Sequence, residues 1–246
     1  MALARRQKVI FISLLLYWSA IFILAHIPVP QFFHGAQVSD KTLHYIAYFV
    51  LVFLLWFAIS PDRKVKWNRA AVWWVLFVVV CYGVLDEWLQ GYVGRNADVM
   101  DFFADLAGAL TGLVLLTFFS FWPATLAVTG ATIFVLTNFM RGGLADVLPV
   151  TNAVFHLFVY GLFTLLWTGY MKYLLPIKAP EPKWLIGALS LPIALLLAVE
   201  LFSALAGNDF RLSHVMISLA GIAVVIIAIY LVALSHRGST QELPPY

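Results

Sequence analysis

Long runs of apolar residues, separated by short polar segments, make up most of the chain. Almost every residue in these runs is Leu, Val, Ile, Phe, Ala or Trp, without the sustained apolar-polar alternation of the strands in a membrane barrel. A helix crosses a bilayer with about 20 mostly apolar residues. The pattern predicts an all-α polytopic membrane protein with eight transmembrane helices, near residues 9–27, 42–60, 70–90, 101–121, 124–140, 152–172, 184–206 and 213–235.

The composition and the basic residues extend this prediction. The chain is 63% hydrophobic and 11% charged, whereas about a quarter of the residues in a soluble domain are charged. Cationic loops are retained in the cytoplasm. If both termini are cytoplasmic, only Lys41, Arg95, Arg141 and Arg211 of the 15 Lys and Arg residues lie outside. The basic residues form no continuous stripe, so the predicted partner is the lipid bilayer and no nucleic acid is expected. The oligomeric state is left open.

The two halves of the sequence share polar positions. A segment containing a His and a Tyr recurs 112 residues later, and with one inserted residue a Glu and a Gly also match. The matched positions are His44 and His156, Tyr48 and Tyr160, Glu87 and Glu200, and Gly108 and Gly221. Four helices separate the copies, so two parallel four-helix repeats are expected. The predicted division is a first repeat at 1–122, a degenerate second repeat at 123–235 and a disordered cytoplasmic tail at 236–246.

Most of the polar residues lie in the first half, at predicted helix ends. An ionisable side chain is costly in hydrocarbon and marks a candidate site. Residues three or four apart share a helix face, which groups Lys41 with His44 and Tyr48, and Glu87 with Gln90. Asp40 is placed to cap the second helix. The fourth helix carries one further stripe: Asp98, Asp101, Asp105, Gly108 and Gly112. The two glycines predict a close helix contact.

These residues form a pattern that resembles the VanZ-like family of bacterial membrane proteins. The pattern is D-K-x-x-H, then E-x-x-Q, then R-x(5)-D-x(3)-[ND]-x(2)-G-x(3)-G, read here as Asp40, Lys41, His44, Glu87, Gln90, Arg95, Asp101, Asp105, Gly108 and Gly112. The resemblance covers the first four helices well and the last four weakly, and Asp105 stands where the family has Asn. It implies a cell-envelope protein of the bacterial plasma membrane, and the family's named member is linked to reduced susceptibility to teicoplanin.

Three functions remain open for an outward-facing polar pocket. In the first, Glu87, His44 and Asp101 are catalytic and exchange protons, while binding groups hold a lipid-linked envelope precursor. The predicted binding residues are Lys41, Arg95, Gln90, Asp40, Asp105 and Tyr48. In the second, the protein is a transporter or flippase with a His-Glu proton relay. In the third, the polar residues are a structural network without turnover. Whether the protein is an enzyme is therefore left open.

A metal ion is not predicted. His44 and two carboxylates could bind a divalent ion, but the chain has no closely spaced ligand motif such as H-E-x-x-H. No cofactor is assigned from the sequence. In the second repeat the candidate equivalents are His156, Tyr160, Glu200 and Gly221.

Overall fold

The structure, a computed structural model, describes residues 2–26, 40–93, 98–140 and 148–241. Within these ranges every regular element is an α-helix, and each helix contains a segment long and apolar enough to cross a membrane. The helices are α1 (Ala2–His26), α2 (Asp40–Ile59), α3 (Ala70–Gln90), α4 (Val99–Phe118), α5 (Phe121–Met140), α6 (Pro149–Leu174), α7 (Pro182–Leu205) and α8 (Leu212–Gln241). The all-α prediction with eight membrane-spanning helices is confirmed.

The chain divides into two compact units, Met1–Val128 and Thr129–Tyr246. The division falls inside α5, a few residues after the boundary predicted at 122. Helix α8 is helical to Gln241, so its last residues enter the segment 236–246 for which the sequence predicts disorder. Residues 242–246 lie outside the described residues. The domain boundaries and the internal duplication remain predictions.

In the first unit, α2 is the central helix and packs against α1, α3 and α4. Its contact with α4 is the most extensive, because glycines line the crossing. A Cβ atom at Gly108 would overlap the backbone carbonyl of Tyr45, and one at Gly112 would overlap the side chain of Val52. Helices in a bilayer associate through such close packing, since lipid tails are as apolar as the side chains themselves.

Apolar side chains fill the rest of this crossing. Leu51, Val52 and Phe57 of α2 and Leu113 and Leu116 of α4 are fully buried. The opposite faces of the outer helices are apolar and exposed, as at Leu16 of α1 and at Trp74 and Phe77 of α3. Exposed apolar faces of this extent are those that lipid covers in a membrane protein.

The second unit contains a similar crossing. Helix α6 packs against α8, and α7 packs against both. A Cβ atom at Gly221 of α8 would overlap the backbone carbonyl of Leu157 on α6. Gly221 and Leu157 occupy the positions that match Gly108 and Tyr45 in the predicted repeat. The same close helix contact therefore occurs at the matched position of each unit.

Candidate functional site

Helices α2, α3 and α4 bring ionisable side chains together at one end of the first unit. The N-terminal ends of α2 and α4 lie beside the C-terminal end of α3, as their mutual hydrogen bonds show. Most of the predicted site residues are found here. We call the following seven residues the polar cluster: Asp40, Lys41, His44, Glu87, Asp98, Asp101 and Asp105. Arg95, predicted to belong to the same site, lies outside the described residues.

A buried histidine-carboxylate pair lies at the centre of the cluster. Nδ1 of His44 is 2.9 Å from Oδ1 of Asp105, and only 8% and 2% of the two side chains are exposed. On the other side of the ring, Nε2 of His44 lies 4.0 Å from Oδ1 of Asp40, one turn earlier on α2. Because Asp105 holds one ring nitrogen, the imidazole is oriented with its second nitrogen toward the cluster edge.

At the exposed edge of the cluster, Lys41 forms two ion pairs. Its Nζ is 2.6 Å from Oδ2 of Asp98 and 3.3 Å from Oδ1 of Asp101. Asp98 also caps α4, because its Oδ1 accepts a hydrogen bond from the Met100 N–H. The ammonium of Lys41, together with the Met100 N–H, lowers the pKa of Asp98 below the ordinary value of 3.8. Asp98 is therefore ionised at neutral pH.

Glu87 connects α3 to the start of α4. Its Oε2 accepts a hydrogen bond of 2.9 Å from the Asp98 N–H. Its other oxygen, Oε1, and Oδ2 of Asp105 are buried and have no hydrogen-bond partner among the described residues. Buried carboxylate oxygens in proteins are nearly always bonded. These two oxygens are thus positioned to bind a proton, a cation or a donor group of a ligand.

Gln90 lies next to the cluster on α3. Its Nε2 donates to Oδ2 of Asp86 at 3.0 Å, and both side chains are buried. The other oxygen of Asp86 is 3.8 Å from Nδ1 of His26, at the end of α1. Tyr48, one turn after His44, is buried with its ring stacked on Tyr82 at a centroid distance of 5.7 Å.

Sequence reasoning assigned no role to Asp98, Asp86 or His26. Asp98 could have been recognised, because an Asp immediately before a helix is a common N-cap and it shares a stripe with Asp101. His26 gave no signal of this kind. Its neighbour Asp86 belongs to a different helix, and only the packing of α1 in the folded unit brings them close.

Two sets of side chains in the cluster could hold a divalent cation. One ligand atom from each of His44, Glu87 and Asp105 lies within 4.8 Å of the others, and the same holds for Asp40, His44 and Asp101. Imidazole and carboxylate donors suit several divalent metals. The sequence spacing does not indicate such a site, because the ligands of the first set come from three different helices.

The second unit has no carboxylate at the positions that match Asp40, Asp101 and Asp105. Nδ1 of His156 is 2.9 Å from Oγ of Ser218, and Nδ2 of Asn152 is 2.9 Å from Nε2 of His214. The two imidazole rings are 4.8 Å apart, and Tyr160 stacks against His156.

The predicted equivalents His156, Tyr160 and Gly221 thus lie along the α6–α8 crossing, whereas Glu200 is a half-buried residue of α7. Ser218 and His214 stand where the first unit has Asp105 and Asp101. The second crossing therefore keeps hydrogen bonds but lacks the carboxylates of the first.

The helices and the cluster define a multi-pass α-helical membrane protein with a carboxylate-rich site at one end of its first helical unit. The model of the VanZ/LLP1 family matches residues 5–120, which contain most of α1 and all of α2, α3 and α4. The first four helices therefore match the VanZ/LLP1 family, as the sequence pattern predicts. The whole polar cluster lies inside the matched segment. The chain matches no curated protein and no solved structure.

Proposed function

We propose that the polar cluster binds the phosphate-bearing headgroup of a lipid-linked cell-envelope component and performs acid-base chemistry on it. The observation that carries the proposal is the grouping of His44, Glu87 and Asp105. It includes two buried carboxylate oxygens without a partner among the described residues, within reach of an oriented imidazole. Proton transfer needs groups at hydrogen-bond distance or bridged by one water, and a separation of up to 4.8 Å within this grouping allows such a bridge.

Each residue has a separate role in this proposal. Glu87 is the general base or acid, because Oε2 is fixed by the Asp98 N–H and Oε1 remains for the substrate. His44 is its proton-transfer partner, oriented by Asp105. Lys41 lies at the exposed edge, where an incoming anion would meet it first. Asp101 and Asp40 hold Lys41 and His44 in position.

The charge of the cluster argues for a divalent cation as a further component. In the described part of the chain, the cluster has five carboxyl groups and only two basic groups, Lys41 and His44. With these carboxylates ionised, the cluster would repel a phosphate. A cation held by His44, Glu87 and Asp105 would offset the excess negative charge and attract the phosphate oxygens. While it is bound these side chains would be its ligands, and they would exchange protons only in the cation-free site.

An apolar groove supports a lipid as the ligand. Val84, Val99 and Phe102 line a groove of about 200 Å³ between α3 and α4, and Glu87 forms part of its wall. Val84 and Val99 are exposed on the apolar outer surface of the unit. A ligand with a hydrocarbon chain could therefore lie in the groove while its headgroup reaches Glu87.

The proposed setting is the bacterial plasma membrane, with both termini cytoplasmic and the polar cluster facing outward. The distribution of Lys and Arg residues supports this orientation. Action on an envelope component at this face would alter glycopeptide susceptibility, and we include that effect in the proposal.

The test uses the purified full chain in detergent with a polyisoprenyl phosphate and a polyisoprenyl diphosphate as probes. Native mass spectrometry measures binding, and phosphate release measures turnover. Glu87→Gln and His44→Ala are compared with Glu200→Gln, the matched change in the second unit. We expect binding by the unchanged protein and a loss of turnover of at least about 100-fold in the first two variants. Glu200→Gln should behave as the unchanged protein.

Two results would contradict the proposal. If neither probe binds and Glu87→Gln lowers only the unfolding temperature, the cluster is a structural network. If proton-driven uptake into vesicles is found and fails in Glu87→Gln, the transporter hypothesis replaces the proposal.

A further inference from the structure

A short loop joins α2 to α3 at the end of the first unit opposite the polar cluster. Hydrogen bonds tie its backbone to two helices: the Val65 N–H donates to the Leu116 carbonyl at 2.9 Å, and the Trp56 indole donates to the Arg63 carbonyl at 2.7 Å. The side chain of Val65 is buried. The indole of Trp67 in addition donates to Oγ1 of Thr117 at 3.1 Å. The loop is thus held in one conformation by α2 and α4.

An ion pair from α1 also holds the loop. Asp62 adopts a left-handed backbone conformation with φ of 62°, which is uncommon for a residue other than glycine. Its carboxylate is paired with the guanidinium of Arg6, which lies 4.6 Å above the ring of Phe121. Asp62, the acidic residue of the loop, is therefore paired with Arg6 of α1 and not with a basic residue of the loop.

The remaining charged residues of the loop are all basic and surround one recess. The recess has a volume of about 360 Å³ and is lined by Trp56, Ser60, Arg63, Lys64, Lys66 and Arg69. Its four cationic side chains are exposed, and none forms an ion pair with a carboxylate in the described parts of the chain. Like charges gathered around one recess repel one another. A bound anion would relieve that repulsion.

We propose that this recess binds a phosphate group. Arg63 and Arg69 can each hold two phosphate oxygens through the planar guanidinium. Lys64 and Lys66 add positive charge, and the hydroxyl of Ser60 can donate one hydrogen bond. The recess lies where α2 ends, at the level of a bilayer surface, and basic pockets between transmembrane helices at this level bind anionic lipid headgroups. The two sources of the phosphate are an anionic phospholipid and the free anion.

Basic residues in short loops also orient membrane proteins during insertion, and this role needs no defined conformation. The α2–α3 loop differs from that expectation, because its backbone is bonded to α2 and α4 and its cations border a single recess. This inference is independent of the function proposed for the polar cluster, since the two sites lie at opposite ends of α2 and share no residue.

The test compares two pairs of charge-removing substitutions in the full chain. Arg63→Gln with Arg69→Gln changes the recess. Lys172→Gln with Lys178→Gln removes the same charge from exposed positions at the end of α6 and in the segment that follows it. Each protein is placed in nanodiscs of phosphatidylcholine with increasing phosphatidylglycerol, and retained lipid is counted by native mass spectrometry. Inorganic phosphate is added separately to the detergent-solubilised proteins, and the unfolding temperature is measured.

We expect the recess variant to bind phosphatidylglycerol at least fivefold more weakly than the unchanged protein and the control variant to retain it. Stabilisation by inorganic phosphate, lost only in the recess variant, would identify the free anion as a ligand as well. Two results would overturn the proposal. One is an equal loss of phosphatidylglycerol binding in the recess variant and the control variant; the other is a failure of the unchanged protein to bind either phosphatidylglycerol or inorganic phosphate. If size-exclusion chromatography shows that the variant with Arg63→Gln and Arg69→Gln does not fold, the variant with Lys64→Gln and Lys66→Gln replaces it.

Discussion

His44 of α2 and Asp105 of α4 are joined by a 2.9 Å contact between Nδ1 and Oδ1, although 61 residues separate them in sequence. Their neighbours explain how they meet. Tyr45 follows His44, and its backbone carbonyl lies against Gly108, less than one turn after Asp105. The helix crossing and the buried polar pair are therefore parts of one arrangement, and a change that separates the helices also separates the pair.

Gly108→Ala should destabilise the protein. The added methyl group would overlap the backbone carbonyl of Tyr45, and a backbone group cannot move aside as a side chain can. We expect the free energy of unfolding, measured in detergent, to fall by about 1–3 kcal/mol or more. Gly91→Ala is the control, because a Cβ there meets only the Trp88 carbonyl at an ordinary 3.4 Å. Equal stability of the two variants would show that α2 and α4 do not approach this closely.

Asp98→Asn should reduce stability at neutral pH and have progressively less effect in acid. The pKa of Asp98 is lowered by Lys41, so the ionised carboxylate stabilises the folded state above the ordinary value of 3.8. This contribution is lost as the pH falls below 3.8 through the lowered pKa. Asn is also a good N-cap, so the substitution tests the charge alone. The measurement is the difference in unfolding temperature between the two proteins across this pH range.

A double-mutant cycle with Lys41→Gln provides the control for this effect. If the ion pair is responsible, Asp98→Asn should have little further effect in the Lys41→Gln background at neutral pH. A difference between Asp98→Asn and the unchanged protein that is constant from neutral to acid pH would rule out the electrostatic explanation.

Divalent cations should bind to the first unit. His44, Glu87 and Asp105 provide one ligand atom each within 4.8 Å. Titration of chelator-treated protein with Mn²⁺, followed by electron paramagnetic resonance, should detect a saturable site. Asp105→Asn should weaken it by more than about tenfold, since even residues that only support a metal ligand contribute that much. Ser218→Ala, at the matched position of the second unit, should leave it unchanged. Equal titrations for all three proteins would exclude this site.

Lys41 and Lys64 should lie on opposite sides of the membrane, because Lys41 is in the first turn of α2, a single membrane-spanning helix, and Lys64 follows its last turn. Single cysteines at these positions, in a Cys81→Ser background, can be labelled in intact cells with a reagent that does not cross the membrane. We expect labelling of Lys41→Cys and protection of Lys64→Cys until the cells are opened. Labelling of both in intact cells would contradict the topology, and labelling of Lys64→Cys alone would reverse it.

The helical architecture could be predicted from sequence because it depends on local properties. Apolar runs of bilayer length require internally bonded backbone, and spacing of three or four residues assigns side chains to a face. Asp101, Asp105 and Gly108 could therefore be placed on one stripe of α4 before its neighbours were known. The family pattern could be recognised for the same reason, since its polar residues occupy fixed positions on three helices.

The partners of these side chains depend on how the helices pack, which no local pattern specifies. The sequence pairs His44 with Glu87 as a hypothesis, and it gives no sign that Nδ1 of His44 contacts Asp105 or that Oε2 of Glu87 accepts a hydrogen bond from the Asp98 backbone. Other features also depend on how the helices pack. They are the buried carboxylate oxygens of Glu87 and Asp105 that lack a hydrogen-bond partner among the described residues, the candidate cation ligands, and the recess of the α2–α3 loop. Close packing at a few small residues such as Gly108 sets the geometry of contacts between distant segments. These contacts form only when the helices assemble.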